Sequence, residues 1–162
     1  MRLNKTLLTF GLAAALLQMP AMMDAQTSGG NRQNPLLQKS SLPFGAPDFS
    51  KIQEGDYLPA IEAAIKLQRE NIRKIVSNKQ KPDFKNTILA YEESGVLLDK
   101  VTSVFFGLTS AHKTPGIAET QKKVTPMLTE LENEISFNQK LFERVKYVYD
   151  NEYKKLKGED QR

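Results

Sequence analysis

The sequence predicts an all-α protein: about four mostly antiparallel amphipathic helices, preceded by an extended proline-rich arm and a signal peptide. Three observations carry this. Apolar residues recur at helical spacing through long stretches, of which Phe84–His112 is the longest and most apolar after the N-terminal segment. After the N-terminal segment, prolines sit in a leading arm or at helix starts and turns, with the exception of Pro126. No stretch reads as a strand. With 162 residues, 26% charged and 40% hydrophobic, the chain suits one modest domain with a real core, too small for a multi-layer enzyme core.

The first 25 residues carry a positive start (Arg2, Lys5), an apolar run from Leu7 to Leu17, then small Ala21 and Ala25 before polar Gln26. That is the pattern of a secretory signal peptide cleaved after Ala25. The run is shorter than the ~20 residues of a spanning helix, so export without a membrane anchor is expected. Residues 26–55 form a polar leader followed by the arm, NPLLQKSSLPFGAPDFS (Asn34–Ser50). Pro35, Pro43, Pro47 and Gly45 forbid regular helix there. Leu36, Leu37, Leu42, Phe44 and Phe49 should pin the arm to the domain surface.

The helical domain spans 56–157, with a charged tail at 158–162. Asp56 is expected to cap the first helix, Asp56–Ser77, with Pro59 in its first turn. Leu58, Ile61, Ile65, Ile72, Ile75 and Val76 make its apolar stripe; Glu62 with Lys66 and Glu70 with Lys74 are i,i+4 pairs on the solvated side. Asp83 or Asn86 caps the central helix, whose stripe is Ala90, Leu97, Val101, Val104 and Leu108, widened by Leu98 and Phe105. Glu92, Asp99 and Ser103 lie opposite. Phe106, seven residues after Asp99, falls on that polar side, as if a partner covered it. Gly95 and Gly107 mark close helix–helix approach. Thr114 caps the next helix, with Pro115 in its first position and Ile117, Val124, Leu128, Leu131 and Ile135 inward; Pro126 should kink or split it. Asn138 caps the last helix, with Leu141, Val145 and Val148 inward and its tyrosines packed between helices.

The residues carry little chemistry. There is no cysteine, hence no disulfide, thiolate ligand or cysteine nucleophile. His112 is the single histidine, so no HExxH helix and no histidine-pair zinc site can form from these residues. It reads as a helix-end surface residue. Glu130, Glu132 and Glu134 spread over helix faces and do not suggest a metal cluster. Arg144, Lys146, Lys154 and Lys155 interleave with Tyr147, Tyr149 and Tyr153, but Glu143, Asp150 and Glu152 dilute the charge. A nucleic-acid partner is not expected. No catalytic, cofactor-binding or metal residue is assigned.

Five segments, NPLLQKSSLPFGAPDFSKI (Asn34–Ile52), DYLPAIEAAI (Asp56–Ile65), FKNTILAYEESGVLLDKV (Phe84–Val101), VFFGLTSAH (Val104–His112) and NQKLFERVKYVYD (Asn138–Asp150), resemble in order and spacing the N-terminal region of bacterial peptidyl-dipeptidases. These dipeptidyl carboxypeptidases are zinc metallopeptidases similar to thimet oligopeptidase. The resemblance implies an exported, almost wholly helical enzyme that trims C-terminal dipeptides from oligopeptides in a deep cleft. Its zinc, held by an HExxH helix and a downstream Glu, would belong to a catalytic half absent here. This chain would then be a cleft-wall fragment, inactive alone, whose partner is that half. The other reading is a stand-alone exported helical module that binds peptides or a protein partner.

Overall fold

The chain divides into Met1–Arg32 and Gln33–Arg162. The computed structural model describes residues 32–161, so the signal-peptide reading, at 1–25, lies outside the described residues. Everything that follows concerns the second unit. Its helices are α1 (Tyr57–Ser77), α2 (Ala90–Ser94), α3 (Val96–Ala111), α4 (Pro115–Ser136) and α5 (Gln139–Glu152). A π-helical stretch, Phe84–Leu89, leads into α2. No strand occurs among the described residues, and the all-α class stands as predicted.

The hub is α1, not the Phe84–His112 stretch: α2, α3, α4 and α5 all pack on it. Its inward face is richer than the stripe suggested, because Tyr57, Ala60 and Ala64 are buried with Ile61, Ile65, Ile72 and Ile75. The two alanines are small enough to let neighbouring helices close on α1 around them. Across from them lie Leu98, Val101 and Phe105 of α3 and Ile117, Val124 and Leu131 of α4. The Tyr57 and Phe105 rings meet at 5.4 Å between centroids, tilted by 50°. A smaller apolar cluster joins Ile72 and Ile75 to Leu141 of α5.

Several caps follow the sequence. Asp83 and Asn86 make a reciprocal box at the π-helical start: Asp83 Oδ1 accepts the Asn86 N–H at 2.6 Å, and Asn86 Oδ1 accepts the Asp83 N–H at 3.1 Å. Thr114 Oγ1 accepts from Ile117 N at 3.1 Å, and Asn138 Oδ1 from Leu141 N at 3.0 Å. Asp56 departs from expectation. It makes no side-chain cap on α1; its carboxylate turns back to the Gln53 N–H at 2.7 Å, closing the short Glu54–Asp56 turn. Of the two i,i+4 pairs on α1, Lys74 Nζ reaches Asn71 Oδ1 at 3.3 Å instead of Glu70.

The predicted central helix is broken. Gly95 ends α2 with φ −96° and ψ −9°, and α3 starts afresh at Val96. The break separates Ala90 from the rest of the stripe, which lies wholly in α3. There Leu98, Val101 and Phe105 are fully inward, while Leu97, Val104 and Leu108 are half-buried at its edge. Gly95 does mark a close approach: a Cβ there would lie 3.0 Å from Gln68 Nε2 on α1. Gly107 does not, as nothing lies within 4 Å of the corresponding position.

Pro126 does not split α4, which runs unbroken over 22 residues. Proline removes the hydrogen bond to the carbonyl four residues back. Here Pro126 and Lys122 are both exposed, so water can satisfy that group.

The arm is pinned by less than the sequence suggested. Leu36 is buried and Ile52 packs on the core, while Leu37, Leu42, Phe44 and Phe49 are exposed. Two polar ties assist, Asn34 Nδ2 donating to Asp56 O at 2.8 Å and Lys100 Nζ to Gln38 O at 2.9 Å. Between these attachments the arm stands off α3 over a cleft of about 300 Å³, walled by Pro35, Leu36, Pro47, Ile52, Val104 and Lys100.

Candidate functional site

His112 is exposed at the end of α3, where its backbone N–H closes the helix on Leu108 O at 2.8 Å. It sits at a helix end, as the sequence indicated. The acidic alternation on α4 separates into two kinds of residue. Glu134 forms a two-pronged pair with Arg69 of α1, at 2.7 Å to Nε and 2.8 Å to Nη2. Glu130, one turn earlier, stands 3.9 Å from the same guanidinium. The Glu134 bonds hold the Arg69 pKa above its ordinary value. Glu132 is exposed on another face.

Among the described residues no group of three or more His, Asp or Glu side chains is placed to hold a metal ion. The zinc implied by the resemblance does not fit the described residues.

The basic-aromatic row on α5 is dispersed by the fold. Lys146 pairs with Asp150 at 2.5 Å. Lys81 stands 5.6 Å from the centre of the Tyr147 ring, and its contact with that tyrosine raises the Lys81 pKa. Tyr149 and Tyr153 are exposed, not packed between helices, and their rings lie 5.1 Å apart.

Arg144 is the residue that the sequence reading missed. It is buried, with Nη1 donating to Asn78 O at 2.9 Å and Gln80 O at 3.5 Å, and Nη2 to Asn86 Oδ1 at 2.8 Å. Its Nε has no hydrogen-bond partner. It stitches α5 to the loop after α1. The signal was present: Arg144 lies three residues after Leu141 and four before Val148, on the inward stripe itself.

Phe106 also needs correction. It packs on the main core, its ring meeting Phe105 edge-on at 5.2 Å, and it is half-buried by this chain alone. It gives no support to a missing cover. The exposed apolar side chains lie elsewhere, at Phe44, Phe49, Val96, Phe137, Phe142 and Tyr149. The described unit thus offers surfaces and a shallow cleft, without an assembled reaction centre.

No family model matches the chain. Whole-sequence comparison is more informative. Over 116 residues, 72% of this chain, it is 42% identical to a dipeptidyl carboxypeptidase of Salmonella typhimurium. It is 44% identical over 116 residues to the dipeptidyl carboxypeptidase of Escherichia coli. The chain is homologous to a segment of the dipeptidyl carboxypeptidases. A more distant likeness, 26% identity over 120 residues, runs to oligopeptidase A of Escherichia coli. In each case the chain spans 17% of the relative's length. The resemblance read from the five segments is thereby shown, and in this chain the matching stretch is helical and built around α1.

Proposed function

We propose that this chain is a helical, cleft-forming part of an exported zinc peptidase that releases dipeptides from the C-termini of oligopeptides. The supporting observation is the match of 42–44% identity over 116 residues to proteins named dipeptidyl carboxypeptidase. The chemistry would reside in the remaining length of such a protein, on the same or a companion chain. With one histidine and no cysteine, these 162 residues hold no histidine-pair zinc site. The chain's own role is to frame and position: a bundle around α1 that docks on the catalytic part. Alone, it is inactive and binds no zinc. The N-terminal apolar run, ending in small residues before Gln26, supports export to the periplasm or beyond.

The test is to sequence the transcript through and past the Arg162 codon. A frame encoding HExxH downstream, directly or after a slip, is the expected result; the joined polypeptide should then bind zinc and release dipeptides. A transcript without such a frame, from a genome lacking a companion zinc half, would overturn the reading.

A further inference from the structure

Among the described residues, the most unusual backbone is at the tip of the arm. Phe44 has φ 59° and ψ 15°, the only positive φ outside glycine among the described residues. That left-handed conformation is disfavoured by any side chain with a Cβ and is the province of glycine and asparagine. Gly45 follows at φ 69°, and the Ala46 N–H closes the turn on Pro43 O at 3.2 Å. Two successive left-handed residues inside a four-residue turn are what an Asn-Gly pair satisfies best. This chain has Phe-Gly, and the Phe ring is wholly exposed, at 108% of its reference area.

The turn is also prebuilt. Ser40 Oγ donates to Ala46 O at 2.5 Å and accepts the Leu42 N–H at 3.1 Å, and the Gly45 N–H bonds Leu42 O at 3.1 Å. Pro43 and Pro47 fix φ on either side. Nothing within this unit repays a large apolar side chain at that position: it buries no surface and strains its own backbone. A strained, preorganised, fully exposed aromatic with Leu42 and Phe49 exposed nearby has the form of an anchor that fills a pocket on another body.

We propose that Phe44 is a docking knob, and that its occupied socket is an apolar pocket on the catalytic part of the peptidase. The choice of partner rests on the function proposed above and on length: the relatives extend well beyond the 17% that this chain spans, so most of their structure has no counterpart here.

The experiment co-expresses the full 162-residue chain with the Escherichia coli dipeptidyl carboxypeptidase polypeptide lacking its own matching segment, and measures co-purification. Three forms of the chain are compared: wild type, Phe44→Asn, and Phe137→Ser, which removes an equally conspicuous exposed ring at the end of α4. Wild type and Phe137→Ser should co-purify. Phe44→Asn should recover at least tenfold less partner while melting at the same temperature as wild type or higher, because asparagine suits the turn. Equal recovery by Phe44→Asn overturns the knob and leaves the peptidase reading standing. A Phe44→Asn chain that melts lower overturns it too, by making Phe44 a stability residue. If wild type recovers no partner, the peptidase reading fails and the knob falls with it.

Discussion

Replacing Arg144 with Met tests whether a single buried cation holds the last helix in place. The change keeps an unbranched apolar stem and removes the guanidinium with its donors. Asn78 O loses its 2.9 Å bond, and a buried acceptor left unpaired costs about 1–3 kcal/mol. Asn86 Oδ1 loses less, because it still accepts from Asp83 N at 3.1 Å and Thr87 Oγ1 at 2.9 Å; about 1 kcal/mol is reasonable. Against this, the unpartnered Nε disappears, returning about 1 kcal/mol. The net expectation is a loss of about 2 kcal/mol, or a fall of about 8 °C in Tm for a domain of this size. Urea and thermal unfolding followed by far-ultraviolet circular dichroism would measure it. Lys146→Met on the same helix is the control, since its exposed i,i+4 pair with Asp150 is worth about 0.3–0.5 kcal/mol. Arg144→Lys should fall between wild type and Met, as one ammonium cannot reproduce the fork. If Arg144→Met proved as mild as Lys146→Met, the stitch described here would carry no weight.

Gly116→Ala should be close to neutral, because two effects oppose. A Cβ would collide with the Glu54 carboxylate and break its 2.8 Å bond from Thr114 Oγ1, while alanine adds up to about 1 kcal/mol of helix propensity. In a Glu54→Ala background the same change should therefore stabilise by about 1 kcal/mol; equal effects in both backgrounds, in chemical denaturation, would refute the clash. Burial raises the Tyr57 phenol above its usual 10.0. A raised folded pKa means that its contribution is intact below about pH 10 and is lost as pH climbs through the folded value. Tyr57 should ionise at a higher pH in the folded than in the unfolded chain in an alkaline absorbance titration; a Tyr57→Phe chain that keeps the same late-ionising fraction would refute that assignment.

What the sequence disclosed was what neighbours in sequence decide. Thr114, Asn138 and the Asp83–Asn86 box cap where they were expected because each bond spans three residues. The failures came where a distant partner, or the phase between segments, decides. Asp56 looks like a cap, yet its carboxylate serves Gln53 behind it. The stripe counted from Ala90 crosses Gly95, where the helix breaks, and in α3 the fully buried line is Leu98, Val101 and Phe105. Phe106 seemed to face a missing body because it shares a helix side with Asp99, yet the Phe105 ring and the core reach it there. Five apolar arm residues were expected to pin, but an extended segment offers a binary pattern no face to act on; only Leu36 of them is buried. As for candidate sites, the absence of histidine pairs and cysteines was plain from composition, whereas the left-handed turn at Phe44 carries no composition signal beyond its Gly45 neighbour.

The polar ties made by α5 also set an order of events. Arg144 reaches back 58 residues to Asn86, and Glu152 Oε2 takes the Phe84 N–H from 68 residues away at 3.0 Å. Turns such as His112–Thr114 close over a few residues, whereas these contacts must wait for a long loop to shut. During synthesis the start of the π-helical stretch stays unlatched until α5 leaves the ribosome. A nascent chain caught before Arg144 would hold its first three long helices and still be open at one end, so the latch is made after every element that it seals.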